Sequence, residues 1–108
     1  MQNVSHEAWN KAILDNDIAQ VNAILAHGFD ANGKMANGAN PLRYASAKGL
    51  TEIVSLLLSH GAYIHTANEE GWTALHYASC YGHTDIVTLL LDDSADVNAK
   101  IQNGGTTL

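Results

Sequence analysis

The 108-residue chain contains one cysteine, one proline and five lysine or arginine residues, and these scarcities narrow the range of folds and functions. The single Cys80 excludes an internal disulfide framework and any zinc site built from several cysteines. Eleven Asp and Glu residues give the chain a net charge of −6, and its few basic residues form no run. Because a phosphate backbone requires neutralising cations, we expect no nucleic-acid partner.

The chain also lacks a long apolar run and an amino-terminal signal pattern. No segment approaches the about 18 consecutive apolar residues that a membrane-spanning helix requires. The first residues show neither the basic region nor the apolar region of a secretory signal. Together with the lone cysteine, this predicts a cytoplasmic or nuclear protein without a membrane partner. A composition of 46% hydrophobic and 15% charged residues is typical of one small globular domain.

What the sequence does contain is an internal repeat. Glycines recur at a constant spacing of 33 residues, at Gly38, Gly71 and Gly104. The same offset aligns further residues of two consecutive units, namely Leu42 with Leu75, Ala45 with Ala78, Gly49 with Gly82, Ile53 with Ile86, and Leu57 with Leu90. The repeat predicts a single domain made of a capping unit at 1–34, full units at 35–67 and 68–100, and the start of a truncated fourth unit at 101–108.

Each unit predicts two short helices. Asn40 and Thr73 supply side-chain oxygens that can cap the first helix of their units, and Pro41 suits the first helical position. Thr51 and Thr84 are candidate caps of the second helix, which is apolar along one face.

Glycine follows the second helix in two of the three units, where it indicates the end of the helix. Gly28 and Gly61 fit the left-handed position after a helix, whereas Ser94 replaces glycine there at a cost on the order of 1 kcal/mol. Segments rich in asparagine and glycine at 30–40 and 98–105 are then predicted to reverse the chain as hairpin fingers.

The unit G-x-T-A-L-H-Y-A, followed by G-H-x-D-I-V-x-x-L-L-L and A-D-V-N-A, resembles the ankyrin repeat. The resemblance covers residues 35–108 well and 2–34 more loosely. It implies an all-α solenoid of about three repeats, with helix-turn-helix pairs and β-hairpin fingers. It also implies a structural hydrogen-bonding role for His76. The sequence departs from the family pattern at Arg43 and Asn16, and Glu7-Ala8-Trp9-Asn10 replaces the T-P-L-H motif. The first unit therefore resembles an amino-terminal cap.

The resemblance implies a protein-protein interaction module that binds a partner protein or peptide on its concave surface of fingers and first helices. The family's contact positions correspond here to Lys34, Ala36, Asn37, Ala39, Ala47, Lys48, Ala67, Glu69, Glu70, Trp72, Cys80, Tyr81, Lys100, Gln102 and Asn103. Trp72 and Tyr81 are predicted apolar anchors, with packing against a neighbouring repeat as the alternative. Glu69 and Glu70 favour a partner with a basic segment.

Other functions find less support in the sequence. The six histidines lack the spacing of a metal site. Cys80 follows His76 by one helical turn, but a solenoid surface does not gather a nucleophile, a base and an acid into one pocket. We therefore expect no catalysis, metal or cofactor. The alternative to partner binding is a structural segment of a longer ankyrin array that positions or regulates another domain of the parent chain.

Two further predictions concern the carboxy-terminal part. Asn98 follows a leucine-rich segment in a pattern similar to the targets of asparaginyl hydroxylases in this family, with a structural hydrogen bond to the finger as the alternative. Leu108 falls inside the repeat motif, so the apolar face of the unit before it has no following repeat. This predicts either a fragment of a longer array or self-association through the uncapped end.

Overall fold

The computed structural model describes residues 6–35 and 38–103, and for His6 and residues 94–103 it describes the backbone alone. In these residues six helices form three consecutive pairs: α1 His6–Leu14 with α2 Ile18–Ala26, α3 Pro41–Lys48 with α4 Thr51–Ser59, and α5 Ala74–Cys80 with α6 Thr84–Asn103. The helices of each pair contact one another, α3 packs on α5, and α4 packs on both α2 and α6. The predicted all-α array of helix-turn-helix units is confirmed.

The first helices of the second and third units begin at the predicted caps. The Asn40 side chain accepts the Arg43 N–H at 3.0 Å, and Pro41 is the first helical residue. Thr73 forms a reciprocal capping box with His76, whose Nδ1 accepts the Thr73 N–H at 2.9 Å. The structural role implied for His76 is therefore confirmed.

The caps predicted for the second helices are wrong by one residue. α4 begins at Thr51 because the Leu50 carbonyl already accepts the first helical hydrogen bond, from the Val54 N–H at 3.0 Å. The His83 carbonyl does the same for Val87 at 3.0 Å, so α6 begins at Thr84. Thr51 and Thr84 are thus the first residues of these helices rather than their caps.

The core is a row of aliphatic side chains between the two layers of helices. Its fully buried members include Ile13, Val21, Ala45, Ile53, Val54, Leu57, Ala78 and Ile86. In the first unit the fully buried Trp9 extends this row, with its ring 4.8 Å from that of Phe29. Its Nε1 donates to the Gly33 carbonyl at 2.8 Å. The segment that replaces T-P-L-H therefore contributes the largest side chain of the core.

Two fingers precede α3 and α5, and we define them as residues 34–40 and 67–73. In the second finger the Asn68 N–H donates to the Trp72 carbonyl at 2.9 Å across a turn whose Gly71 has φ +86°. The first finger has the equivalent hydrogen bond between Met35 and Ala39, also at 2.9 Å. The second finger is therefore a tight turn with hairpin-type bonding, and no β-strand forms within the described residues.

The finger predicted over 98–105 is not formed in the part of the chain that the structure describes. α6 continues to Asn103, so the reversal predicted over 98–105 is wrong for residues 98–103. Gly28 and Gly61 adopt φ of +94° and +89° just after α2 and α4, as predicted. Ser94 replaces glycine at this position of the third unit, and a side chain disfavours the left-handed turn, so the helix runs on.

The six helices do not test the two predictions for the carboxy-terminal end, which are a truncated fourth unit and self-association. Residues 104–108 lie outside the described residues, so the fourth unit stays a prediction. Self-association stays a prediction as well, and Leu91 on α6 is a half-exposed apolar residue. Among the described residues, no helix is both long and apolar enough to cross a bilayer.

Candidate protein-binding surface

The two fingers and the exposed faces of α1, α3 and α5 together form what we call the finger-side surface. Because the units repeat every 33 residues, this surface carries three rows of equivalent positions: Lys11, Tyr44 and Tyr77; Leu14, Ala47 and Cys80; and Asp15, Lys48 and Tyr81. The rows contain three tyrosines that are half-exposed or exposed, Tyr44, Tyr77 and Tyr81, and tyrosine is one of the residue types enriched among those that anchor protein partners.

A cleft of about 300 Å³ opens between α3 and α5. Tyr44 and Tyr77 line it together with Ala39 and Ala47, and we call it the tyrosine cleft. The Tyr77 hydroxyl accepts the Asn68 Nδ2–H at 2.8 Å, which ties its ring to the second finger. The cleft is therefore held open by packed and hydrogen-bonded side chains.

The two fingers enclose a second cleft, of about 420 Å³, that carries charges of opposite sign. Lys34 and Arg43 line it before and within the second unit, and we call them the cationic wall. Glu69 and Glu70 line it from the second finger, and we call them the anionic wall. Among the described residues the ion pair present is Lys11–Asp15 at 2.9 Å, so no ion pair joins the two walls.

Each wall is positioned by hydrogen bonds. Arg43 Nη1 donates to the Thr66 carbonyl at 2.9 Å, which holds the half-buried guanidinium against the start of the second finger. The Asn68 Oδ1 accepts the backbone N–H groups of Glu70 and Trp72 at 2.9 and 3.0 Å. This turn keeps the glutamate carboxylates exposed at the finger tip.

The Lys11–Asp15 ion pair lies at the end of α1. The hydrogen bond that Lys11 donates to the Asp15 carboxylate is the main cause that raises the pKa of Lys11. Both side chains are largely exposed, and the pair adds no net charge to the first unit's face.

The two predicted anchors differ in exposure. Tyr81 is 60% exposed at the end of α5. Trp72 is half-buried, with its ring centroid 5.2 Å from that of Tyr77 and 5.8 Å from that of His76. Trp72 thus packs within its own unit, against His76 and against Tyr77, which lines the tyrosine cleft, and it is not fully buried.

The predicted contact residues other than Trp72 fall into three groups. Those on the finger-side surface are Lys34, Ala39, Ala47, Lys48, Ala67, Glu69, Glu70, Cys80 and Tyr81. Lys100, Gln102 and Asn103, together with Asn98, belong to α6, and their side chains are outside the described residues. Ala36 and Asn37 lie outside them entirely. Hydroxylation of Asn98 stays a prediction, checked by a mass gain of one oxygen on its peptide.

Sequence reasoning missed Leu14, Arg43, Tyr44 and Tyr77 as surface residues. Leu14 is 51% exposed, and its 33-residue offset from Ala47 was a usable signal. The charge pattern was another, because residues 31–50 contain no Asp or Glu and residues 51–99 contain no Lys or Arg. The two walls of the charged cleft come from these oppositely charged segments.

The described residues offer little for metal or thiol chemistry. No three His, Cys, Asp or Glu side chains among them are close enough to hold a metal ion. Cys80 is exposed, and the Nδ1 of the neighbouring His76 is already bonded to Thr73.

Comparison with known proteins agrees with the repeat pattern. The family model for ankyrin repeats matches residues 9–101 in three copies. No curated protein matches the chain.

Proposed function

Because the chain belongs to the ankyrin repeat family, whose members are generally non-catalytic protein-protein interaction modules, we propose that it binds a partner protein or peptide on its finger-side surface. This surface corresponds to the concave surface expected from the sequence. The tyrosine cleft is the observation that carries the proposal. It combines exposed aromatic area with ordered polar groups at its rim, as protein-binding hot spots do.

Contacts on this surface are proposed for the predicted residues and for those that line the clefts. Tyr81 is the principal anchor, since its ring is largely exposed, and Tyr44 and Tyr77 extend the aromatic area toward α3. Trp72 supports the Tyr77 ring and contributes its accessible edge. Lys48 lies 5.8 Å from the centre of the Tyr44 ring and supplies a cation beside the apolar cleft.

The experiment compares the partners captured by the full chain with those captured by variants. Replacing Tyr44 and Tyr81 together by Ala removes the half-buried Tyr44 ring, which packs against the edge of the core, and the exposed Tyr81 ring, and changes none of the fully buried side chains. We expect the affinity for the captured partner to fall by about 30-fold, equivalent to about 2 kcal/mol, with an unchanged helical circular dichroism signal.

Tyr63→Ala is the matched control. Tyr63 is 69% exposed but lines neither cleft, so its removal takes away a comparable aromatic side chain elsewhere. Equal loss of binding in the control and in the double variant, or no loss in either, would contradict the proposed function.

A further inference from the structure

Resting on the proposed function, we infer that the partner presents a segment of mixed charge to the groove between the two fingers. The segment carries an acidic side chain for the cationic wall, an apolar or aromatic side chain for the tyrosine cleft, and a basic side chain for the anionic wall. This goes beyond the basic segment expected from the sequence, because that expectation rested on Glu69 and Glu70 alone.

The two clefts form one continuous groove. Arg43 and Asn68 line both of them, so the tyrosine cleft opens directly into the space between the charged walls. A partner side chain seated in the tyrosine cleft therefore brings its sequence neighbours next to both walls. Apolar and charged contacts act on the same short segment.

The tyrosine cleft accepts a side chain rather than a larger ligand. Its volume of about 300 Å³ lies at the lower end of the range for small-molecule sites, and it is open on one side. Tyr44 and Tyr77 offer ring faces and edges, which suit an aromatic or branched aliphatic group.

The charges on the walls determine what flanks that side chain. Lys34 is exposed, as are Glu69 and Glu70, and no ion pair among the described residues joins the two sides. A purely basic segment is attracted by the anionic wall and repelled by the cationic wall, and a purely acidic segment meets the reverse. A segment with one charge of each sign makes a favourable contact with both walls.

The test uses synthetic peptides and the full-length chain. Three sets of fluorescent peptides share a central Phe, Tyr or Leu flanked at varied spacing by an acid and a base, by two acids, or by two bases. We expect the mixed set to bind about tenfold more tightly than either like-charged set at low salt. The preference should shrink in high salt as the charges are screened.

Wall-inverting variants then test the assignment of each charge. In Glu69→Lys/Glu70→Lys both walls are cationic, and the two-acid peptides should become the preferred set. In Lys34→Glu/Arg43→Glu both walls are acidic, and the two-base peptides should be preferred. Because Arg43 also anchors the Thr66 carbonyl, Lys34→Glu alone serves as a second variant that leaves this contact in place.

Asp92→Lys/Asp93→Lys is the matched control for net charge. It changes the charge of the chain by the same amount as the glutamate inversion, but on the outer helix α6. It should leave the preference for mixed peptides unchanged. The inference is overturned if the preferred peptide set follows the net charge in all variants, or if it stays the same when the charges of the walls are inverted. Peptide binding itself would still support the proposed function.

Absence of binding by every peptide set overturns the inference as well. The proposed function is then decided separately, by the capture experiment with the tyrosine variants.

Discussion

Helices α4 and α6 begin alike and end differently. Each follows a residue whose carbonyl accepts the first helical hydrogen bond, and each has an acidic residue in its first turn and three successive leucines. α4 ends at Ser59, before Gly61 at φ +89°, whereas α6 has Ser94 at the equivalent position and continues to Asn103. The two helices thus differ at this position: α4 is followed by a glycine, which readily adopts left-handed φ values, whereas α6 has a serine there and continues.

This difference also bears on the binding surface. The second finger, with its anionic wall, begins soon after Gly61 has ended α4. Residues 98–103 are helical, so they do not begin a finger of this kind. Within the described residues, the groove between two fingers therefore extends from Lys34, at the end of the first unit, to Glu70, at the start of the third.

The largest change in the free energy of unfolding is expected for a substitution at Gly49, which contacts His83 of the next unit. A Cβ on Gly49 would lie 2.8 Å from the Cε1 of His83, whose Nε2 is 3.1 Å from the Ala47 carbonyl. Gly49→Ala combines left-handed strain with displacement of that ring, and should lower the free energy of unfolding by about 2 to 3 kcal/mol. Urea unfolding measures the change.

Gly82→Ala is the matched variant of the third unit. Gly82 has a similar φ of +75°, but a Cβ there would meet open space. It should cost about 1 kcal/mol, from backbone strain alone. Equal costs for the two variants would contradict the proposed role of the His83 contact, as would an unchanged cost of Gly49→Ala in a His83→Ala background.

A somewhat smaller loss of stability is expected when Gly61, which follows α4, is replaced by serine, the residue at the equivalent position of α6. Gly61→Ser should destabilise the chain by about 1 to 2 kcal/mol rather than lengthen α4. Ala62 and Ile64 are buried just after Gly61, and Asn32 accepts the Tyr63 N–H at 2.8 Å, so packing holds this turn in place. Thermal unfolding measures the loss, and amide chemical shifts of 62–66 reveal any helical extension. Extension without loss of stability would contradict this account.

Of two serines at equivalent positions, Ser46 and Ser79, the first should stabilise the chain when it is replaced by alanine. Ser46 is fully buried, and its Oγ has no hydrogen-bond partner, whereas the corresponding Ser79 is exposed. Removing an unsatisfied buried hydroxyl relieves its desolvation cost, so Ser46→Ala should raise the free energy of unfolding by about 1 kcal/mol. Ser79→Ala should leave it within about 0.5 kcal/mol. A loss of stability in Ser46→Ala would show that its hydroxyl is satisfied in solution.

The smallest stability change, but a clear structural one, is expected for Ser94→Gly. Glycine allows the backbone after residue 93 to turn left-handed, as it does at Gly61, so α6 should end near that residue. Carbon chemical shifts of 95–103 should lose their helical values, while the free energy of unfolding changes by less than about 1 kcal/mol. A helix that still extends to Asn103 would show that Ser94 does not determine its length.

The repeat spacing was sufficient to predict the helix pairs, and the composition of 30–40 was sufficient to predict a reversal before α3, because caps and glycines act within a few residues. The same reasoning failed at Ser94. It treated serine as tolerated in a left-handed turn at a cost on the order of 1 kcal/mol, whereas the backbone avoids that cost by remaining helical.

The proposed binding surface was predictable only where it depends on the local position of a residue in its repeat. Glu69 and Glu70 follow directly from their place in a finger turn. The tyrosine cleft depends on how α3 packs against α5, and the position of Arg43 depends on its bond to the Thr66 carbonyl. Both are contacts between units, which no single repeat sequence contains.

The central claim, that the finger-side surface binds the partner, is tested most directly at Cys80. It is the chain's single cysteine, it is exposed, and it lies one helical turn from Tyr77. The measurement is the rate at which a thiol reagent modifies Cys80 as the captured partner, or the tightest-binding peptide, is added. We predict that the rate falls in proportion to the bound fraction. An unchanged rate at saturation, with binding verified independently, would contradict the claim.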